Sequence, residues 1–497
     1  MDRNGTQNSQ PSFVAARRPQ LMHGCLYADL CVIGAGTAGL SVAAGAAQMG
    51  AAVVLVEQGK MGGECLNTGC VPSKALIASA HSAQAMRTAP RFGLKECDPM
   101  IEFRYVRHHL HGVIAAIAPH DSAQRFEDLG VRVIHDVSRF AGRDLILAGS
   151  QSIKARRFVI ATGSSAAVPS IPGLADVPYL TNESIFDLTQ RPDHLIVIGG
   201  GPIGIEIAQA FRRLGSRVTI LDRLSILPKD ELEAAAVVRN ALETEGIEIH
   251  EGVHIGSVVK TEKGIDVHLK ALTCPLSVVT GSHILVAAGR TPNTANLALP
   301  EAGIAATPKG ITVDRRLRTT NKRVFALGDV IGEPQFTHVA NYQAGIVIRN
   351  ALFGLPAAVN YTALPWVTYC DPELAHVGLI EDRARKAGHQ VSTLLGPLKD
   401  NDRAQAEHAI EGLAKIVLGK GGRILGATIV GPHAGESISL WGLAISRRLS
   451  IGAVASLIFP YPTISEICKQ TAASYYTPML FGPRLRTLVG LIQRFLP

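Results

Sequence analysis

Short apolar runs, each closed by a glycine-rich turn, set the rhythm of the first half of this chain. Leu30-Cys31-Val32-Ile33 has no polar break, the pattern of a strand buried on both faces. It runs into Gly34-Ala35-Gly36-Thr37-Ala38-Gly39 and an alanine-rich helical stretch. A second buried run, Ala51-Ala52-Val53-Val54-Leu55-Val56, then ends at Glu57. The unit returns at Leu195-Ile196-Val197-Ile198, Gly199-Gly200-Gly201-Pro202-Ile203-Gly204 and Arg217-Val218-Thr219-Ile220-Leu221-Asp222. Strand, glycine loop, helix, strand and acid in this order predict a dinucleotide site. The glycines (Gly34, Gly36, Gly39; Gly199, Gly201, Gly204) allow a tight turn and bring backbone amides close to a pyrophosphate. Glu57 and Asp222 stand where a carboxylate accepts from ribose hydroxyls. One such loop is weak evidence; two complete units are strong.

Between the two units lies Gly63-Glu64-Cys65-Leu66-Asn67-Thr68-Gly69-Cys70, leading into Val71-Pro72-Ser73-Lys74. Pro72 suits the first turn of a helix, and the Gly69 turn lets the chain double back. A disulfide needs Cα atoms roughly 4.4–6.8 Å apart, so the cysteines meet only if the segment bends as it enters the helix. A thiolate there faces the positive end of a helix dipole, which lowers a cysteine pKa. Zinc is disfavoured, because no second Cys/His pair follows at finger-like spacing.

Two dinucleotide loops flanking a Cys-x4-Cys pair resemble the pyridine nucleotide–disulfide oxidoreductases, over about Tyr27 to Thr477. That family includes dihydrolipoyl dehydrogenase, glutathione reductase and mercuric reductase. Three further segments match: Ala161-Thr162-Gly163, Ala288-Gly289-Arg290-Thr291-Pro292-Asn293, and Thr319 through Gly328-Asp329. The resemblance implies an α/β fold with two Rossmann-like domains, for FAD and NAD(P), and a C-terminal α+β dimerisation domain. The first loop then binds FAD, with Gly63, Thr162, Gly163, Gly289, Arg290 and Gly328 around it and Asp329 on the ribityl chain. The second binds NAD(P)H. Cys65 exchanges with substrate and Cys70 lies against the flavin. Lys74 sits near flavin N5, paired with Glu206. Gly204 and Asp222 favour NADH, while Arg223 and Lys229 occupy positions where NADPH-using relatives carry arginines. A homodimer with its active site shared across the interface follows from the same likeness.

A chain of 497 residues is too long for a single core. The motifs divide it into a disordered leader (1–25), a FAD domain (26–168) with a helical insertion near 73–120, and an NAD(P)H domain (169–288). A return to the FAD site (289–357), a dimerisation domain (358–480) and an amphipathic tail helix (481–497) complete it. The net charge of +8 is dispersed, without a Lys/Arg block of five, which argues against nucleic acid. No signal-type apolar core and no spanning run of ~18 apolar residues occurs, so a cytoplasmic enzyme of redox homeostasis is expected, with peripheral contact at the inner membrane face open through the tail. Eight cysteines in this length do not make a secreted disulfide framework. Cys25, Cys31, Cys97, Cys274 and Cys370 read as ordinary thiols, and Cys468 keeps a redox or metal role open.

The departure from the family comes near the C-terminus. Disulfide-handling members carry His-Pro with a glutamate four residues after the proline. This chain has Tyr461-Pro462 and Glu466. A phenol of pKa ~10 does not act as a base near pH 7, whereas imidazole at ~6.5 does. Tyrosine here resembles mercuric reductase, and Pro178-Tyr179-Leu180-Thr181 matches that enzyme's second active-site tyrosine. A soft metal held transiently by Cys65 and Cys70 takes electrons without a proton shuttle; no structural metal is expected. The mercury-delivering C-terminal cysteine pair has no counterpart, since no cysteine follows Cys468. The expected activity is mercuric-reductase-like electron transfer from NAD(P)H to a thiol-reactive acceptor. Dihydrolipoyl-dehydrogenase-like chemistry and a low-turnover redox sensor are the alternatives. In the tail, Leu485, Leu488, Val489, Ile492, Phe495 and Leu496 fall on one helical side, with Arg486, Gln493 and Arg494 on the other.

Overall fold

The computed structural model describes residues 17–270 and 277–496, so Cys274 and the leader up to residue 16 lie outside the described residues. The chain divides into two compact units. The first holds the described residues through Pro72, with His109–Ala167 and Arg290–Val359; the second holds Ser73–His108, Val168–Gly289 and the chain from Asn360 onward.

The first unit is built on a parallel sheet. Strands Arg132–His135, Val53–Glu57, Cys25–Ile33, Gln151–Ile160 and Val324–Ala326 lie side by side in that order. The unbroken apolar runs follow from burial on both faces. Leu30, Val32, Val53 and Leu55 enter one cluster, and Cys31, Ile33, Val54 and Val56 enter another. Helices Thr37–Gln48 and Thr337–Phe353 cover the first face. They approach so closely that a Cβ at Gly45 would lie 2.6 Å from Ile348 Cδ1. An antiparallel meander (Ser138–Phe140, Leu145–Ala148, Gln151–Ile160) extends the sheet. Gln20–Met22 pairs antiparallel with the start of Cys25–Ile33. Residues 20–25, expected to belong to a disordered leader, therefore form a hairpin, because the strand edge takes up their backbone groups.

In the second unit a parallel sheet runs Glu248–His250, Arg217–Leu221, His194–Ile198, His283–Val286, Tyr179–Leu180. A three-stranded antiparallel sheet, His254–Thr261, Gly264–Lys270 and Val278–Gly281, interrupts it in sequence. The helical stretch Ser73–His108 clusters with this unit. The C-terminal part of the chain forms a five-stranded antiparallel sheet, Pro365–Thr368, Glu373–Gly378, Arg423–Gly431, Leu413–Gly419, Ser392–Pro397. Helix Ala434–Ser446 packs on it through Ile438 and the fully buried Trp441. Buried Lys415, on one of these strands, reaches Glu231, Glu233 and Glu381 at 2.9–3.0 Å. Three carboxylates around one ammonium offset its desolvation.

Candidate active site

Both glycine loops have the same construction. Gly34 and Gly199 have φ of +100° and +116°, and a Cβ at either would lie 2.4 Å from a carbonyl oxygen, of Ala161 and Ala287 respectively. At Gly39 and Gly204 a Cβ would fall within 2.0 Å of the Gly34 and Gly199 carbonyls. Gly36 and Gly201 differ: a Cβ at Gly36 meets nothing nearer than 3.9 Å, and at Gly201 nothing within 4 Å. The outer two glycines serve the fold, while the middle one leaves open space beside the start of a helix. An anion fits such a place. The acids close each loop: Ala35 N–H donates to Glu57 at 2.5 Å, and Gly200 N–H to Asp222 at 2.6 Å. Asp222 also accepts from Leu224 N–H, and Arg223 beside it is exposed.

The cysteine pair sits where four helices begin. Cys65 lies in the short helix Gly63–Asn67, entered through Gly62 and Gly63 at positive φ, and Cys70 opens helix Cys70–Thr88. The sulfurs are unbonded thiols sharing a hydrogen bond. The Thr337 hydroxyl, at the start of helix Thr337–Phe353, lies 3.3 Å from Cys70 Sγ. Thr37, at the start of helix Thr37–Gln48, and Thr337 both hydrogen-bond to Cys65. The hydrogen bond to Cys70 and burial hold the Cys65 thiol well above its usual range. Cys65 therefore does not share the lowering expected of a thiolate at a helix start; it keeps its proton and donates it to Cys70.

Around this pair the motif segments lock together. The Thr162 hydroxyl donates to Asn293 O at 2.7 Å, and Asn293 Nδ2 donates to Thr162 O at 3.0 Å, next to Gly163. Asp329 accepts from the Ser164 hydroxyl at 2.7 Å, and Gly328 N–H donates to Gln343 at 2.6 Å. Arg290 follows Gly289 (φ +126°) and reaches Ser164, Asp329 and both carboxylate oxygens of Glu64. Burial pushes the Glu64 carboxyl up to about 7, against the pull of Arg290. Glu64, Thr337 and Ser164 were not among the sequence candidates. The one available signal was an acid directly before the first cysteine.

Lys74 Nζ lies 2.6 Å from Glu206, which is 7% exposed and also accepts from Tyr369 N–H at 2.9 Å. The ammonium stands 4.5 Å from the centre of the Tyr369 ring. Tyr179 is half-buried in an edge strand, against the core of its own sheet. Tyr461 is 70% exposed, and its hydroxyl donates to Asp402 at 2.9 Å. That bond, and the Asp402 charge, raise the phenol above its ordinary value. Glu466 opens helix Glu466–Ser474 instead of holding the phenol. Cys468 is buried, takes the Trp441 indole N–H at 3.3 Å, and has its thiol pushed up to about 11 by burial. It is an inert core thiol, which corrects the redox or metal role left open for it. Among the described residues no group of three His, Cys, Asp or Glu is placed to hold a metal.

A sequence profile described as pyridine nucleotide-disulphide oxidoreductase matches residues 28–344, and the dimerisation domain of the same family matches 364–472. This chain belongs to that family. Members are FAD-dependent and draw electrons from NAD(P)H, and the dimerisation domain supports a homodimer. A mercuric reductase of Streptomyces lividans is 35% identical over 90% of this chain and 96% of its own. A dihydrolipoyl dehydrogenase of Geobacillus stearothermophilus is 33% identical over 89% and 95%. Among solved structures, the HOCl-induced flavoprotein disulfide reductase RclA of Escherichia coli, as its Cu(II) complex, superposes with a TM-score of 0.80. It is 27% identical, over 89% of this chain and 99% of its own. The open middle-glycine positions and the acids at both loops fit the two dinucleotides such an enzyme uses.

Proposed function

We propose that this flavoenzyme passes electrons from NADH through Cys65 and Cys70 to a soft metal ion or another small thiol-reactive oxidant, in the manner of a mercuric reductase core. The observation that carries this is the side chain at the position of the family's proton-shuttle histidine: it is Tyr461, exposed and tied to Asp402. FAD, when bound at the first loop, supplies hydride acceptance from the nicotinamide and two-electron delivery to the disulfide. The chain's own groups do the rest. Glu57 and Asp222 hold riboses, and Asp329 and Arg290 hold the polar part of the flavin cofactor. Lys74 with Glu206 fixes one positive charge a turn along the helix from Cys70.

Proton accounting separates the acceptors. A divalent soft cation taken between the sulfurs accepts two electrons as the S–S bond re-forms. Cys65–SH, Cys70–S⁻ and M²⁺ give the disulfide, M⁰ and one released proton. A disulfide acceptor has the opposite demand. Cys65–SH, Cys70–S⁻, RSSR and one added proton give the enzyme disulfide and two RSH. Only the second needs a proton donor near neutrality, and a phenol held above its usual pKa is a poor one. The similar RclA structure is a Cu(II) complex, which accords with a metal acceptor.

An acceptor panel at saturating NADH tests this: Hg(II), Cu(II), lipoamide, glutathione disulfide and a quinone. Metal turnover should exceed disulfide turnover. Faster lipoamide reduction would favour dihydrolipoyl-dehydrogenase-like activity. One reduction of the disulfide without repeated turnover on any acceptor would favour a redox sensor.

A further inference from the structure

The family's dimerisation profile ends at residue 472, but the chain continues through a single helical turn, Thr477–Leu480, to a final helix, Pro483–Ile492. None of that final helix's ten residues is buried. Leu488, Val489, Leu491 and Ile492 are each about half exposed, Phe495 just beyond is 82% exposed, and Phe481 just before is 65% exposed. At 100° per residue, Leu485, Leu488, Val489, Leu491 and Ile492 occupy one arc, with Phe495 and Leu496 continuing it. Arg486, Thr487, Gly490, Gln493 and Arg494 lie on the opposite arc, while Arg484, in the first turn, falls at the edge of the helix within the apolar arc.

Charge identifies the occupant of this apolar arc. After Glu466 the sequence contains no Asp or Glu, but has Lys469, Arg484, Arg486 and Arg494. Two exposed apolar side chains nearer in the chain, Leu443 and Ile458, lie inside the dimerisation profile, in the stretch that the family gives to subunit contact. The tail lies outside it. Two tails of this composition repel each other, since neither carries an acid to meet the other's arginines. An apolar arc flanked by uncompensated arginines complements a surface that is apolar below and anionic above. We propose that Pro483–Leu496 docks this enzyme on the face of an anionic lipid bilayer. The helix lies in the headgroup layer, with its leucines, isoleucine and phenylalanine inserted and its arginines on lipid phosphates. Among the described residues no helix is long and apolar enough to cross a membrane, so the contact is peripheral. A homodimer carries two tails, and simultaneous engagement strengthens an individually weak anchor.

The test is flotation of the FAD-loaded, full-length protein with vesicles of phosphatidylcholine alone or mixed equally with phosphatidylglycerol. Binding is expected only to the anionic vesicles and should weaken with added salt. The triple variant Arg484→Gln, Arg486→Gln, Arg494→Gln should bind at least ~10-fold more weakly. The variant Leu488→Ser, Ile492→Ser should also lose binding, while both keep dimer mass and NADH-dependent activity. Equal flotation of full-length protein and a form ending at Gly482 would overturn the proposal, as would no flotation at all. A truncated form that falls to monomers, from a parent that does not bind vesicles, would overturn it too and assign the tail to the second subunit instead.

Discussion

Replacing Tyr461 by histidine is the sharpest probe of the acceptor argument. The phenol donates to Asp402 at 2.9 Å, and that bond raises it above its ordinary value. At pH 7.5 a phenol of pKa ~10 or more is less than ~1% ionised, whereas an imidazole of pKa ~6.5 is about 90% neutral. Histidine therefore raises the fraction of competent base by roughly 300-fold or more. Positioned general acid–base groups contribute ~10²–10⁴ in rate, and an unrefined replacement should reach the lower end. Tyr461→His is expected to raise kcat/KM for dihydrolipoamide oxidation by about tenfold to a hundredfold, while changing metal reduction by less than about threefold. Its pH profile should gain an ascending limb near pH 6.5–7.5, since the Asp402 and Glu466 carboxylates favour the imidazolium and move its pKa upward. Tyr461→Phe, which removes the hydroxyl without adding a base, should leave dihydrolipoamide turnover low. Steady-state rates of the three forms between pH 5.5 and about 9 make the measurement. An unchanged rate and profile in Tyr461→His would refute the placement of residue 461 on the substrate path.

Four further outcomes follow from the same structure. Cys65→Ala holoprotein should show long-wavelength thiolate–flavin absorbance without reductant, and Cys70→Ala should lack it after NADH; oxidised Cys65→Ala without the band would reverse the two roles. NADH should give the higher kcat/KM, because the Asp222 carboxylate opposes a 2′-phosphate; a ratio favouring NADPH would mean that Arg223 dominates. Glu206→Leu removes the carboxylate that accepts from the Lys74 ammonium and from Tyr369 N–H; since Lys74 is over a third exposed, thermal unfolding should report about 1–2 kcal/mol, below the 3–5 of a fully buried pair. Burial raises Asp230 to about 6 despite the Trp366 indole bond, so the folded state resists its ionisation: the cost is absent below pH ~4, grows toward pH 6 and is complete above it. Asp230→Asn should then stabilise by about 2–3 kcal/mol at pH 8 and by nothing at pH ~3.5; equal effects at both would place its origin in packing.

The parts of the site that could be read from the sequence are those whose partners are neighbours along the chain. Glu57 and Asp222 each close a loop opened some two dozen residues earlier, within one strand–helix–strand unit, so spacing alone carried them. The sheets around them were legible for a related reason: strands buried on both faces leave unbroken apolar runs such as Leu30–Ile33 and Leu195–Ile198. The three-stranded antiparallel sheet from His254 to Gly281 gave no comparable signal, because its half-exposed strands mix apolar and charged residues. Lys74 and Glu206 were paired only through family resemblance, since 132 residues separate them. Glu64 and Arg290, 226 residues apart, escaped altogether. Tyr461 shows the limit most clearly. Its place in the chain identified the missing imidazole, with the motif's glutamate, Glu466, five residues on. The partner in the fold is Asp402, 59 residues earlier. A motif can thus report which chemistry has been lost at a position, but the hydrogen bond that now holds the side chain is chosen by tertiary structure.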